Sequence, residues 1–180
     1  PIGNLEDVSF RVIRILSEVD LIAAEDTRVT EKLLGRYNIK TKKTSFNKDN
    51  SPHKIPEILN VLASNDVALT TDAGTPGISD PGYELVKAVD SAGFSVIGIP
   101  GPSALTTVLS MCPFPVEGFI FTGFPPRKDV DLSKFLKHYG RLNLPLVLFE
   151  SPRRLRNLLE KMILLYCDRH VFIAREMTKI

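Results

Sequence analysis

Short apolar runs alternate with amphipathic stretches of roughly ten residues along almost the whole chain, and this alternation limits the fold more than any other feature. Residues 21–24 (Leu-Ile-Ala-Ala), 67–71, 95–99, 119–122, 146–149 and 170–174 read as strands, with residues 43–46 as a further one. Residues 7–19 place Val8, Val12, Ile15, Leu16 and Val19 on one helical face. A helix is predicted from Thr27 to Gly35. Others are predicted over 51–64 behind a Ser51-Pro52 start, over 82–92 closed by Gly93, and over 102–111, 132–139 and 151–165. Strands that alternate with helices pair in parallel through crossover connections, so the pattern predicts an α/β fold with mainly parallel sheets.

Composition narrows the class. The chain has 180 residues, of which 43% are hydrophobic and 24% charged. These are the values of a globular protein and exclude a disordered tail or a collagen-like repeat. No run of about 18 apolar residues is present, so no membrane-spanning helix is predicted. No basic segment precedes an apolar one in the manner of a secretory leader. Cys112 and Cys167 form neither a disulfide framework nor a metal-ligand spacing. A reducing, cytoplasmic compartment is expected, although one isolated disulfide fits the count equally.

Cys112-Pro113-Phe114-Pro115 carries two prolines in three residues, which stops a helix and favours extended chain. The expected organisation is a first domain over 1–111, a linker over 112–117 and a second domain over 118–180, with no internal repeat. Charge is uneven across it. Residues 1–90 hold 11 Lys+Arg against 14 Asp+Glu, and residues 91–180 hold 12 against 7. A basic second half suits nucleic acid, and it suits an ordinary solvated surface as well. Lys40, Lys42, Lys43, Lys48 and Lys54 form a second, looser basic stretch.

The chemistry-bearing residues lie in loops that follow strands. Eight of the 13 prolines fall between Pro76 and Pro126. The densest stretch is Asp72-Ala73-Gly74-Thr75-Pro76-Gly77-Ile78-Ser79-Asp80-Pro81-Gly82, directly after the strand at 67–71. Loops at the carboxyl ends of parallel strands are where open α/β sheets bind ligands. Glycine lets backbone approach a ligand closely, and proline holds the loop rigid. The stretch is neither a Walker A loop nor a G-x-G-x-x-G turn; the alternative is a tight structural connection. Pro100-Gly101-Pro102-Ser103-Ala104 opens a helix whose free N–H groups favour an anionic group such as a carboxylate, or serve a plain capping turn. Pro1-Ile2-Gly3-Asn4 has the same rigid character. Glu25-Asp26-Thr27-Arg28 offers carboxylates beside an arginine, suited to orienting a hydroxyl or taking its proton; Asp26 or Thr27 serves equally as a helix cap. Glu150-Ser151-Pro152-Arg153-Arg154 follows a strand in the same way. His53, His138 and His170 are isolated, and no G-x-S-x-G elbow is present. Phe10, Phe119, Phe121, Phe124 and Phe149 read as core rather than as a base-stacking platform.

Taken in order, PIGNLED (1–7), LIAAEDTR (21–28), DAGTPGISDPGYELV (72–86), IPGPSAL (99–105), FPPRK (124–128), FESPRRL (149–155) and AREMTK (174–179) resemble the ribosomal RNA small subunit methyltransferase I family. The resemblance implies the tetrapyrrole (corrin/porphyrin) methylase fold, two α/β domains with a ligand cleft between them. It implies methyl transfer from S-adenosylmethionine (SAM) to the ribose 2′-hydroxyl of a cytidine in the decoding region of 16S rRNA, without a metal. SAM contacts would fall at Pro1, Ile2, Gly3, Gly74, Thr75, Ile78, Ser103, Ala104, Phe149 and Glu150. Candidates for orienting or deprotonating the hydroxyl are Glu25, Asp26 and Arg28, with Glu150 behind them. Arg127, Lys128, Arg153, Arg154 and Arg156 would hold RNA phosphates. The family pattern starts with a strand ahead of residue 1 and runs on past residue 179, which implies a portion of a longer protein, and homodimers are the family expectation. Two other readings share the motifs: a small-molecule tetrapyrrole or corrin methyltransferase, and a non-catalytic SAM- or RNA-binding module. Where this chain has Ala73-Gly74-Thr75 the tetrapyrrole relatives have an acidic Gly-Asp-Pro, which favours the RNA reading.

Overall fold

A computed structural model describes residues 1–166 and 168–179, so Cys167 lies outside the described residues. They fall into two compact units. The first is Pro1–Ala104 together with the segment from Glu176 onward, and the second is Leu105–Arg175. Residues 112–117, expected as a linker, lie inside the second unit.

The first unit is built on three parallel strands, β1 (Leu21–Ala24), β2 (Lys42–Ser45) and β3 (Val67–Thr70), in the order β2-β1-β3. Strand β1 is central, and its sequence Leu-Ile-Ala-Ala is apolar on both faces because both are covered. Alternation sends Ile22 and Ala24 to one side, where they join Leu16, Leu34 and Ile39. These partners come from α1 (Phe10–Glu18), α2 (Thr27–Arg36) and the turn after it. Ala23 points the other way and meets Phe46, Ile58, Leu85 and Val89. That layer is formed by α3 (Ser51–Leu62) and α4 (Tyr83–Ser91). The result is a sheet with helices on both sides.

Caps explain the helix starts. Ser9 Oγ accepts from Val12 N at 3.2 Å, so α1 begins at residue 10, and Leu5–Asp7 forms a separate 3-10 turn capped by Asn4. Asp26 caps α2. For α3 the cap position is Asn50, not Ser51, and Asn50 turns its amide back to Ser45 O at 3.2 Å and Ser45 Oγ at 2.9 Å.

The second unit contains α5 (Ala104–Ser110, beginning at the unit boundary), β4 (Ile120–Phe121), α6 (Asp129–Tyr139), β5 (Leu146–Val147) and α7 (Pro152–Tyr166). Strands β4 and β5 pair in parallel. Leu132, Leu136 and Leu158 form its buried centre, with Leu148, Met162 and Tyr166 against them. The Tyr166 hydroxyl donates to Leu136 O at 2.6 Å across α6 and α7, and burial raises its pKa. A Cβ on Gly140 would strike the Tyr166 ring, so these helices approach closely only with glycine there.

Two predicted strands are not strands here. Residues 95–99 and 170–174 run as irregular chain, with Val96, Ile97, Val171 and Ile173 exposed. Their composition suits a strand, but a strand exists only through hydrogen bonds to a neighbour, and none pairs with them among the described residues. Phe10 is 92% exposed, and Phe119 and Phe124 are also exposed, which corrects the expectation that they are core. No helix among the described residues is long and apolar enough to cross a membrane.

Candidate functional site

The carboxyl ends of β1 and β3 lie side by side, and the residues that leave them form an acidic knot. Glu25 follows β1, and its amide donates to Thr70 O at 3.1 Å, continuing the ladder one step. Its carboxylate is held from β3: Thr71 Oγ1 donates to Oε2 at 2.5 Å, and Asp72 N donates to the same oxygen at 3.2 Å. Both bonds fall on Oε2, which leaves Oε1 for another donor. Asp72 in turn accepts from Asp26 N at 3.1 Å. Asp80, at the far end of the same loop, lies near enough to feel the charges of Glu25 and Asp72.

The carboxyl groups titrate apart. Partial burial, and next the charge of Glu25, raise the pKa of Asp72 and of Asp80 above the usual carboxylate value. Asp26 goes the other way, to about 2, because Arg28 donates to it from its backbone amide at 2.8 Å, from Nε at 3.0 Å and from Nη2 at 2.6 Å. Asp26 and Arg28 therefore satisfy one another at the start of α2, and Asp26 is the cap. Among the described residues Glu25 Oε1 and Asp72 Oδ2 are both open, and Glu25 is the carboxylate held from β3 by two donors.

The glycine-rich loop folds back over the first loop. Gly74 N donates to Pro1 O at 3.1 Å, and the Gly74 Cα faces Ile2. Gly74 and Gly77 sit at φ of +85° and +80°, where side-chain-bearing residues are strained. Internal bonds from Gly77 N to Pro81 O and from Ile78 N to Thr75 O brace the turn. Thr75 and Ile78 are exposed on it. Gly3, at φ +141°, packs against the returning segment: a Cβ there would lie 2.7 Å from Thr178 Oγ1, a buried hydroxyl with no hydrogen-bond partner among the described residues. Ser103 and Ala104 stand at the start of α5.

The remaining predicted residues belong to the second unit. Phe149 N donates to Gly123 O at 2.9 Å, and the Phe149 ring packs edge-on to Phe121 at 5.0 Å. Glu150 is a buried carboxylate, its side chain only 5% exposed. Its Oε1 accepts from Ser151 N at 2.7 Å, and its Oε2 lies 3.2 Å from Arg154 Nη2. The same Nη2 donates to Pro125 O and Pro126 O, each at 3.0 Å. Arg154 is thus engaged with its own fold, tying the segment ahead of Arg127 and Lys128 to the start of α7. Arg127, Lys128 and Arg153 are exposed, and Arg156 pairs with Glu160 at 2.9 Å.

Sequence reasoning missed Thr71, Asp72 and Asp80. The available signal was that the glycine-rich run is bracketed by aspartates, while attention went to its glycines and hydroxyls. No group of three or more His, Cys, Asp or Glu side chains among the described residues is placed to hold a metal ion.

Comparison with known proteins bears on the fold and the family. The model for tetrapyrrole (corrin/porphyrin) methylases matches residues 1–179. A solved uroporphyrin-III C-methyltransferase from Thermus thermophilus, complexed with S-adenyl homocysteine, superposes over 91% of this chain and 73% of its own, with a TM-score of 0.61 at 19% identity. The chain belongs to the tetrapyrrole methylase family.

Within that family its relatives are more specific. A ribosomal RNA small subunit methyltransferase I from Thermotoga maritima is 49% identical over the whole of this chain and 81% of its own length. The protein of that name from Halalkalibacterium halodurans is 45% identical over 99% of this chain. The chain spans 62% of the length of that second relative.

Proposed function

We propose that this chain is the catalytic part of a SAM-dependent methyltransferase that methylates the ribose 2′-hydroxyl of a cytidine in the decoding region of 16S rRNA. One observation carries the reading. In a chain 49% identical to a protein named for small-subunit rRNA methylation, a carboxylate with a free oxygen is fixed at the joined strand ends beside the glycine-rich loop. The loops fit a methyl donor of this kind. Positive φ at Gly74 and Gly77 lets the loop turn tightly while their N–H groups bond Pro1 O and Pro81 O, and Ser103 precedes a helix start. Pro1, Ile2, Gly3, Gly74, Thr75 and Ile78 would hold the donor, with Ser103 and Ala104. SAM, when bound, supplies a methyl group already activated by a sulfonium leaving group.

The protein's task is then alignment and proton acceptance. A ribose hydroxyl is a weak nucleophile until its proton is shared. Glu25 Oε1 would accept that hydrogen bond, while Thr71 and the Asp72 amide keep the carboxylate from rotating. Asp26 and Arg28, bound to each other, keep the start of α2 and the adjoining carboxylates in register. Arg127, Lys128, Arg153 and Arg156 would meet phosphates. The whole protein is proposed to act as a homodimer.

The test uses the whole protein, methyl-labelled SAM and small ribosomal subunits that lack the modification. Label in 2′-O-methylcytidine after digestion supports the reading. Donor binding with no label in RNA overturns it and favours a small-molecule methylase or a non-catalytic binder.

A further inference from the structure

The lysine-rich stretch that follows α2 takes no part in the site at the strand ends. Its first members border a groove of about 800 Å³ at the opposite end of the first unit's sheet. Leu21 and Lys42, the first residues of β1 and β2, line it, together with Asn65 just ahead of β3. The strands are four residues long, so the groove and the Glu25 carboxylate stand apart by a strand length, about 13 Å at roughly 3.3 Å per residue.

The charges of the groove are unsatisfied in a way their neighbours are not. Lys43 pairs with Glu31, and Lys54 pairs with Glu57 at 2.6 Å. Lys40 and Lys42 are exposed and form no ion pair among the described residues. Beside them Asn38, held at φ +56° with its backbone N–H on Gly35 O, has a side-chain amide that makes no hydrogen bond among the described residues. The other polar walls are fixed from behind: Thr41 Oγ1 donates to Leu16 O at 2.6 Å, and Ser17 Oγ to Ile13 O at 2.9 Å. One acid, Asp20, lines the groove, and its Oδ2 accepts from Asp66 N at 3.1 Å. No aromatic side chain among the described residues lines it, so these offer no surface on which a base would stack. Two free ammonium groups, an amide and hydroxyls on a rigid wall match phosphodiester oxygens and ribose hydroxyls, which fix register without reading sequence.

We propose that this groove is a second RNA-backbone contact, in which Lys40 and Lys42 each neutralise a phosphate of the rRNA whose ribose is modified at the other end of the sheet. The inference rests on the RNA reading above. A substrate as large as a ribosomal subunit RNA can pass around a small unit and reach both ends of its sheet.

The test is Lys40→Gln/Lys42→Gln in the whole protein, with small-subunit rRNA binding measured between 50 and 200 mM salt. Two lost phosphate contacts make the slope of log K against log salt shallower by about 1.4–1.8 and weaken binding roughly tenfold or more at the low-salt end. SAM affinity stays at the wild-type value. Lys54→Gln, which removes a paired lysine outside the groove, leaves the slope unchanged, and Lys40→Glu/Lys42→Glu deepens the loss. Wild-type RNA affinity and slope in the double Gln variant overturn the proposal. So does a response in which millimolar inorganic phosphate binds at the lysines while RNA binding is unaffected by their removal. If the wild-type protein neither binds nor methylates the RNA, the functional reading itself fails, an outcome distinct from a groove that RNA does not use.

Discussion

Arg154→Met separates a structural clamp from a phosphate contact. The guanidinium serves one carboxylate and two carbonyls within the second unit, with its side chain 29% exposed against 5% for Glu150. Removing one partner of a fully buried pair costs about 3–5 kcal/mol, because the other charge is left dry. Arg154 is partly wet, and water entering its place relieves some of that penalty. The surviving loss is then about 2–3 kcal/mol, which includes the carbonyls of Pro125 and Pro126 at about 0.5–1.5 kcal/mol each. In urea, with an m-value of about 2 kcal/mol per M, the unfolding midpoint of the second unit should fall by roughly 1–1.5 M. Far-UV circular dichroism together with amide exchange on α7 follows that unit specifically. Glu150→Gln in the same background should recover about 1 kcal/mol or more, the signature of coupling. At low denaturant, where the variant is folded, its RNA-binding salt slope should equal that of wild type, while Arg153→Gln makes the slope shallower by about 0.7–0.9. A midpoint within 0.3 M of wild type, combined with a lost phosphate contact, would refute the clamp.

Four further outcomes follow from the same geometry. Glu25→Gln should lower methyl transfer by about a hundredfold or more while SAM affinity is kept, read by single-turnover kinetics. Asp26, with its pKa brought down from 3.8 to about 2, contributes stability that is present above pH 3.8 and lost as pH falls toward 2, so Asp26→Asn should flatten that acid limb in a pH-dependent melting series. Asp80 has a raised pKa, so its contribution is favourable below pH 3.8 and lost as pH rises through the folded value; Asp80→Asn should raise the melting temperature at pH 7, and the gain should vanish in acid. Gly140→Ala should cost about 1–3 kcal/mol through overlap with the Tyr166 ring, and less in a Tyr166→Ala background, by urea titration.

How much of this was legible in the sequence depends on the range of the interactions involved. Helices declare themselves locally, through the spacing of Val12, Ile15 and Leu16 and through caps such as Ser9. Strand β1 was legible because four apolar residues in a row are affordable only in a sheet covered on both faces. Residues 95–99 have the same composition yet form no strand, since pairing depends on a neighbour that periodicity does not reveal. The site divides along the same line. Glu25 was a candidate from its place after a strand, but its holders Thr71 and Asp72 come from 46 and 47 residues away. Arg154 was expected, by resemblance, to hold an RNA phosphate. Its spacing of four from Glu150 was the local hint of a pair, and its bonds to Pro125 and Pro126 were not visible without the fold.

The packing of Thr178 against Gly3 also fixes an order of events during synthesis. The first unit is assembled from two separated segments, with the 71 residues of Leu105–Arg175 between them. At about 5–20 residues per second, a translating ribosome takes roughly 4–14 s to make that intervening unit after Ala104 is linked. Throughout that interval the loop that begins at Pro1 has no Thr178 to rest on. The nascent chain therefore carries its sheet before it carries a finished first loop, and a pause or premature stop beyond Ala104 leaves a layered body whose Gly3 turn still lacks its Thr178 neighbour.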